Sequence, residues 1–162
     1  MYGSGLRLAD VHKLDIENID FKEEILRIKQ GKGRKDRNVP LGEITLAYLK
    51  EYITAVRKYL ISVENQNQPA VFLSRNGKRY DKCSISRMIK EYSVKAGIQN
   101  ITPHKLRHAF SLHMMRRGCD IRFIQEILGH EELETTQIYT EIFDGELKEK
   151  IEQYHPLSAG ME

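Results

Sequence analysis

The chain has 162 residues, 40% of them hydrophobic and 30% charged, with a formal net charge of +3. That length and balance fit one globular domain with a sizeable core and exclude a disordered chain. No apolar run approaches the roughly 20 residues of a membrane span, no signal peptide opens the chain, and the two cysteines, Cys83 and Cys119, are too few for a disulfide framework or a metal knuckle, so a reducing cytoplasm is expected.

Residues 1–5 read as a turn and 6–14 as a short helix that points Leu6, Val11 and Leu14 inward. Arg7 falls in its first turn, with Asp10 one turn on to hold the guanidinium. Segments 16–21, 25–28 and 38–41 read as short strands, a small antiparallel three-stranded sheet between Ile16 and Leu41 in an otherwise mainly helical α+β chain. Between the last two strands, Gln30-Gly31-Lys32-Gly33-Arg34-Lys35-Asp36-Arg37 makes a hairpin turn. This turn is not a nucleotide-binding P-loop, because the remaining glycine and the Ser/Thr after the lysine are missing.

Residues 43–61 carry Ile44, Ala47, Tyr48, Tyr52, Val56, Tyr59 and Leu60 at helical spacing, a long amphipathic helix whose tyrosines belong to the core or its boundary. A loop at 65–69, a short strand at 71–73 and a turn at 76–78 follow. Residues 84–96 form a helix with Ile85, Ile89 and Tyr92 inward and basic residues outward, and Gly97 ends it. Thr102 caps the next helix, Pro103 suits its first position, and Leu106, Phe110, Leu112 and Met114 or Met115 supply its packing face up to about Arg117. Gly118 terminates that helix. Asp120 caps another that runs through Leu128, and Gly129 turns the chain to present His130. A short helix from Thr135 carries Tyr139, and residues 146–154 form a last amphipathic helix on Leu147 and Ile151, stopped by Pro156.

The net charge is only mildly basic, but its distribution is uneven. Lys29, Lys32, Arg34, Lys35 and Arg37 cluster in one turn, and Arg75, Lys78, Arg79, Lys82, Arg87 and Lys90 in another segment, while the stretch from Glu131 to Glu152 is acidic. A charge run is commonly just a solvated face. Here two basic clusters accompany a phosphate-shaped constellation: His104 sits at a helix N-terminus, where backbone N–H groups favour anions, and Arg107 lies one turn on. A surface arginine or a core histidine is the commoner role for either residue alone. Their joint order is what points to a site.

That order is His104-Lys105-Leu106-Arg107-His108, then Leu128-Gly129-His130, then Thr135-Thr136-Gln137-Ile138-Tyr139-Thr140, with Gly5-Leu6-Arg7 and Gly31-Lys32-Gly33 upstream. It resembles the catalytic half of the tyrosine recombinases, the phage integrase family, over nearly the whole chain. The resemblance implies that Arg7 and Arg107 hold the non-bridging oxygens of a DNA phosphodiester, His104 and His130 move protons, Lys32 protonates the leaving 5′ hydroxyl and Tyr139 is the nucleophile, with Asp10 and a buried His108 in support. It implies double-stranded DNA as partner, with Lys29, Arg34, Lys35, Arg37, Arg75, Lys78, Arg79, Lys82 and Arg87 as contacts. It also implies a homo-tetramer on DNA for a full-length protein, no membrane, and no ATP, metal or other cofactor. The family's separate DNA-clamping domain would precede Gly3, so the chain reads as a catalytic domain without that clamp and as a monomer in solution. Glu131-Glu132 departs from the small polar residues commoner in the family after Leu-Gly-His.

Two other readings stand beside this one. His104 and His108, four apart on one helix, with His130 suit zinc, but Lys105 stands where a metalloprotease places its glutamate and Arg107 would set a cation beside the metal. The other is a DNA-binding or assembly module that keeps the fold without turnover.

Overall fold

The computed structural model describes residues 1–29, 36–61, 65–129 and 143–155. The turn with Lys32, Arg34 and Lys35, the segment with His130, Thr135 and Tyr139, and Pro156 lie outside the described residues.

Helix α1 spans Leu8–Lys13, with Arg7 extended at its N-cap rather than inside its first turn. A 3₁₀ turn, Ile16–Asn18, takes the first half of the expected first strand. Strands β1 (Ile19–Asp20), β2 (Ile25–Ile28) and β3 (Arg37–Pro40) then form an antiparallel sheet in the order β1-β2-β3. Ile19 pairs with Leu26, Leu26 with Val39 and Ile28 with Arg37. The strand period of two puts Leu26 and Ile28 on the buried face and Arg27 on the open one, where it meets Asp20 at 2.6 Å. With Arg27 more than half exposed, that pair contributes little.

Helix α2 (Glu43–Glu51) continues through a π-helical stretch, Tyr52–Arg57, into α3 (Lys58–Leu60). Its inward stripe is Leu46 and Leu49 followed by Tyr52, Ile53 and Arg57; Tyr48 and Tyr59 are 67% and 83% exposed, contrary to the core or boundary role expected of them. The π winding brings residues five apart onto one face. Tyr52 and Arg57 thereby reach the same segment: the Tyr52 hydroxyl accepts from the Leu73 amide at 3.1 Å, and the buried Arg57 guanidinium donates to the carbonyls of Ala70 (2.9 Å) and Gln68 (2.5 Å).

Helix α4 (Lys82–Lys95) starts two residues earlier than expected, because Asp81 caps it by accepting from the Ser84 amide at 2.9 Å. Ile85 and Ser93 are buried, whereas Tyr92, expected inside, is exposed under the Lys95 ammonium. Helix α5 (Pro103–Arg116) has the expected Thr102 cap, accepting from the Lys105 amide at 3.2 Å, and Pro103 at its start. It buries Arg107, Phe110 and Met114, three positions on one face, while Met115 points out. Gly118, at φ +89°, ends it. Asp120 caps α6 (Ile121–Leu128), which buries Ile124, Ile127 and Leu128 and ends in Gly129 at φ +63°.

Helix α7 (Phe143–Tyr154) packs, like α6, on β3. Leu147 and Ile151 are its buried stripe, as expected, and each such side chain is worth roughly 2 kcal/mol of burial. Lys148 pairs with Glu24 at 2.6 Å, and Arg117 donates to the His155 carbonyl at 2.6 Å. His155 is 1% exposed, its ring against Phe110 and Tyr2.

Burial holds the His155 imidazole below its ordinary 6.5; a backbone hydrogen bond to Gly3 acts against this and Arg117 with it. The unfolded chain therefore binds a proton that the folded one refuses. Stability from this group is complete above the unfolded value and is lost as pH falls toward the lower folded one. The melting temperature should drop between about pH 7.5 and pH 5.5, and His155→Gln should drop less. Parallel profiles for the two proteins would contradict the assignment.

Candidate phosphate site

The last turn of α6 leaves carbonyls with no intrahelical partner, at the negative end of a helix dipole. Three arginines take three successive ones. Arg37 Nε donates to the Ile127 carbonyl at 3.2 Å, Arg107 Nη2 to Leu128 at 2.8 Å, and Arg7 Nη2 to Gly129 at 3.0 Å. Arg107 Nη1 also donates to the Gly5 carbonyl at 2.6 Å, joining the N-terminal turn to α5 and α6. Gly5 is at φ +60°, and a Cβ there would lie 2.9 Å from the Phe110 ring and 3.0 Å from Leu128, so only glycine brings that carbonyl so close.

Asp10 organises the cationic side. Its Oδ2 accepts from the Arg7 backbone N–H at 3.0 Å and from Arg37 Nη2 at 2.7 Å. Asp10 thus pairs with Arg37 through this oxygen, where the helical spacing suggested the Arg7 guanidinium. Arg107 is 8% exposed, and its ionisation is lowered to about 10, first by burial, then by Arg7 and Arg37, with Asp10 acting the other way. It remains charged at neutral pH. Among the described residues, three guanidiniums here face one carboxylate, an excess of positive charge that an anion would offset.

His104 stands exposed in the first turn of α5, three positions before Arg107. His108 is exposed rather than buried: one position past Arg107, it turns about 100° off the face that Arg107, Phe110 and Met114 share. Two of the expected DNA contacts are held by the fold, Arg37 nearly buried and Arg79 28% exposed. Arg37's side chain is 8% exposed. Arg79 donates to the His12 carbonyl at 2.8 Å and to the Asp15 carboxylate at 2.5 Å, tying the 73–79 hairpin to the end of α1. Lys29, Arg75, Lys78, Lys82 and Arg87 are exposed, Lys29 at 3.4 Å from an equally exposed Glu17. The expected roles of Lys32, Arg34, Lys35, His130 and Tyr139 fall outside the described residues. Among the described residues no group of three His, Cys, Asp or Glu side chains is placed to hold a metal ion, and no helix is long and apolar enough to cross a membrane.

The sequence reading missed Arg37 as a member of this cluster. A signal was present: it stands two residues before the fully buried Val39, so the strand period puts it on Val39's face, away from the exposed Asn38.

The tyrosine recombinase XerD of Staphylococcus epidermidis is 38% identical to the chain over 157 residues, 96% of this chain and 52% of that protein. The crystal structure of XerA recombinase superposes with a TM-score of 0.72 at 39% identity, covering 96% of this chain and 55% of the other. XerH bound to palindromic difH in a post-cleavage complex superposes with a TM-score of 0.63 at 26% identity, covering 93% and 42%. The chain spans about half the length of the curated relatives it matches. Residues 1–146 match the model of the phage integrase family, and with the mainly helical fold and its small antiparallel sheet this shows that the chain belongs to that family.

Proposed function

We propose that the protein cleaves and rejoins DNA as the catalytic part of a site-specific recombinase. The observation that carries this is the trio of guanidiniums converging on the C-terminal end of α6, immediately before His130. A DNA phosphodiester brings one negative charge to that surplus, and the pentavalent phosphorane formed during attack brings two. Stabilisation therefore grows as the reaction proceeds, which is what accelerates it.

The Tyr139 oxygen attacks phosphorus and forms a 3′-phosphotyrosyl bond as the bond to the 5′ oxygen breaks. Tyrosine ionises near 10, so His104 or His130 takes its proton, while Lys32 donates one to the departing 5′ oxygen. Attack by a 5′ hydroxyl on the phosphotyrosyl bond reverses the step. One phosphoester is exchanged for another, so the bond energy is kept. The exposed Lys29, Arg75, Lys78, Lys82 and Arg87 supply backbone contacts to a duplex, and XerH, with a related fold, is seen on difH. The site of action is inside the cell, where DNA is.

Sheared DNA from the source organism, incubated with the protein and precipitated under denaturing conditions, should carry down covalently linked fragments whose ends map the target. Tyr139→Phe should yield none while still retarding the mapped duplex in a gel. An adduct from Tyr139→Phe would remove this tyrosine from the nucleophile's role, and no adduct from the unaltered protein would leave DNA binding as its only activity.

Arg107→Lys and Arg7→Lys keep a charge but lose the planar fork that spans two acceptors. Each should slow adduct formation at least about 100-fold on a nicked duplex of the mapped site. Normal cleavage by Arg107→Lys would sink the shared-phosphate reading.

A further inference from the structure

We infer that Arg37 is a positioning residue of the cleavage site, acting through Asp10 and the Ile127 carbonyl rather than on DNA at the surface. This rests on the recombinase reading above and adds a residue to its machinery.

Three observations carry it. The Arg37 guanidinium bridges two groups that the site depends on: Nη2 meets Asp10 at 2.7 Å, and Asp10 in turn fixes the Arg7 backbone at 3.0 Å; Nε meets Ile127 at 3.2 Å, two residues before Gly129, which accepts from Arg7. Both sides of that ion pair are nearly dry, at 8% and 13% exposure, so its geometry is not loosened by solvent. The remaining Nη1 is buried with no hydrogen-bond partner among the described residues. An arginine kept only for packing would not hold a donor at that cost, because a lysine stem or an apolar residue could fill the space.

The placement explains what Arg37 does. It opens β3, the strand on which α6 and α7 pack, and stands five residues after Lys32 in the chain. One planar group thus holds the start of β3, the Asp10 carboxylate and the last turn of α6 in one frame. Without it, Asp10 loses this cation and the Ile127 carbonyl its donor, so Arg7 and the Gly129 carbonyl lose their register. Displacement of about 1 Å in such a site costs about 100-fold in rate.

The test is single-turnover adduct formation at saturating DNA, using the nicked duplex of the mapped site and the full chain. Arg37→Gln should cut the rate constant by about 100-fold while the dissociation constant for the duplex moves less than about threefold, since no phosphate contact of the surface is removed. Asp10→Asn should show a comparable loss, and the double variant should be no slower than the slower single one, because the two act as a unit. Arg37→Lys should recover only part, as an ammonium reaches Asp10 or Ile127 but not both with a fixed fork; it also serves as the readable variant if Arg37→Gln shows no folded circular dichroism. A near-normal rate for Arg37→Gln, losses that multiply in the double variant, or a loss confined to DNA affinity would each overturn the inference. Absence of any adduct from the unaltered protein would instead overturn the recombinase reading, and this inference with it.

Discussion

The carbonyls that α6 cannot pair at its C-terminal end are taken by three arginines from three other elements, and the rest of the structure serves that junction. Arg7 comes from the N-cap of α1, Arg37 from the start of β3 and Arg107 from the buried face of α5. Bringing three like charges together with one carboxylate is unfavourable on its own. The fold holds them there with backbone dipoles aligned by a helix end, which cannot swing away as water would. A site already arranged for a charge that has not yet formed needs no reorganisation when it does form.

Arg107 and Arg37 are placed by the same packing that builds the core. Arg107 sits on the same face as Phe110 and Met114, both fully buried, so the α5 stripe that builds the core also aims the guanidinium. Gly5 allows its carbonyl to approach because no side chain intervenes between it and Phe110 or Leu128. Arg37 shares Val39's side of β3, so the sheet register that buries Val39 also buries the arginine. Core packing and site geometry are therefore one constraint. A cavity opened beneath Phe110 would be felt at the Arg107 guanidinium, three positions before it on the same helix face.

Much of this was legible in the sequence wherever local chemistry decides structure. Thr102 and Asp120 cap the helices they were expected to cap, Gly97, Gly118 and Gly129 end helices in the left-handed region, and the Leu147–Ile151 stripe is buried. What was not legible depends on partners distant in sequence. A hydrophobic stripe draws Tyr48, Tyr59 and Tyr92 inward, whereas the structure exposes all three and buries Arg57 against the carbonyls of Gln68 and Ala70. Arg37 and Arg79 read as surface charge because Asp10 and Asp15, their partners, lie 27 and 64 residues away. His108 reads as a buried brace for its helix, but it stands one position past the buried Arg107, and adjacent helical positions face apart.

The most direct measurement compares cleavage of two nicked duplexes, one with a normal scissile phosphate and one with a methylphosphonate, in which a neutral methyl replaces a charged non-bridging oxygen. If the arginine cluster works by offsetting phosphate charge, Arg107→Ala should be severely defective on the phosphate and much less so, relative to the unaltered protein, on the methylphosphonate. An equal defect on both substrates would show that Arg107 does something other than meet that charge, and the account built on the α6 junction would fail.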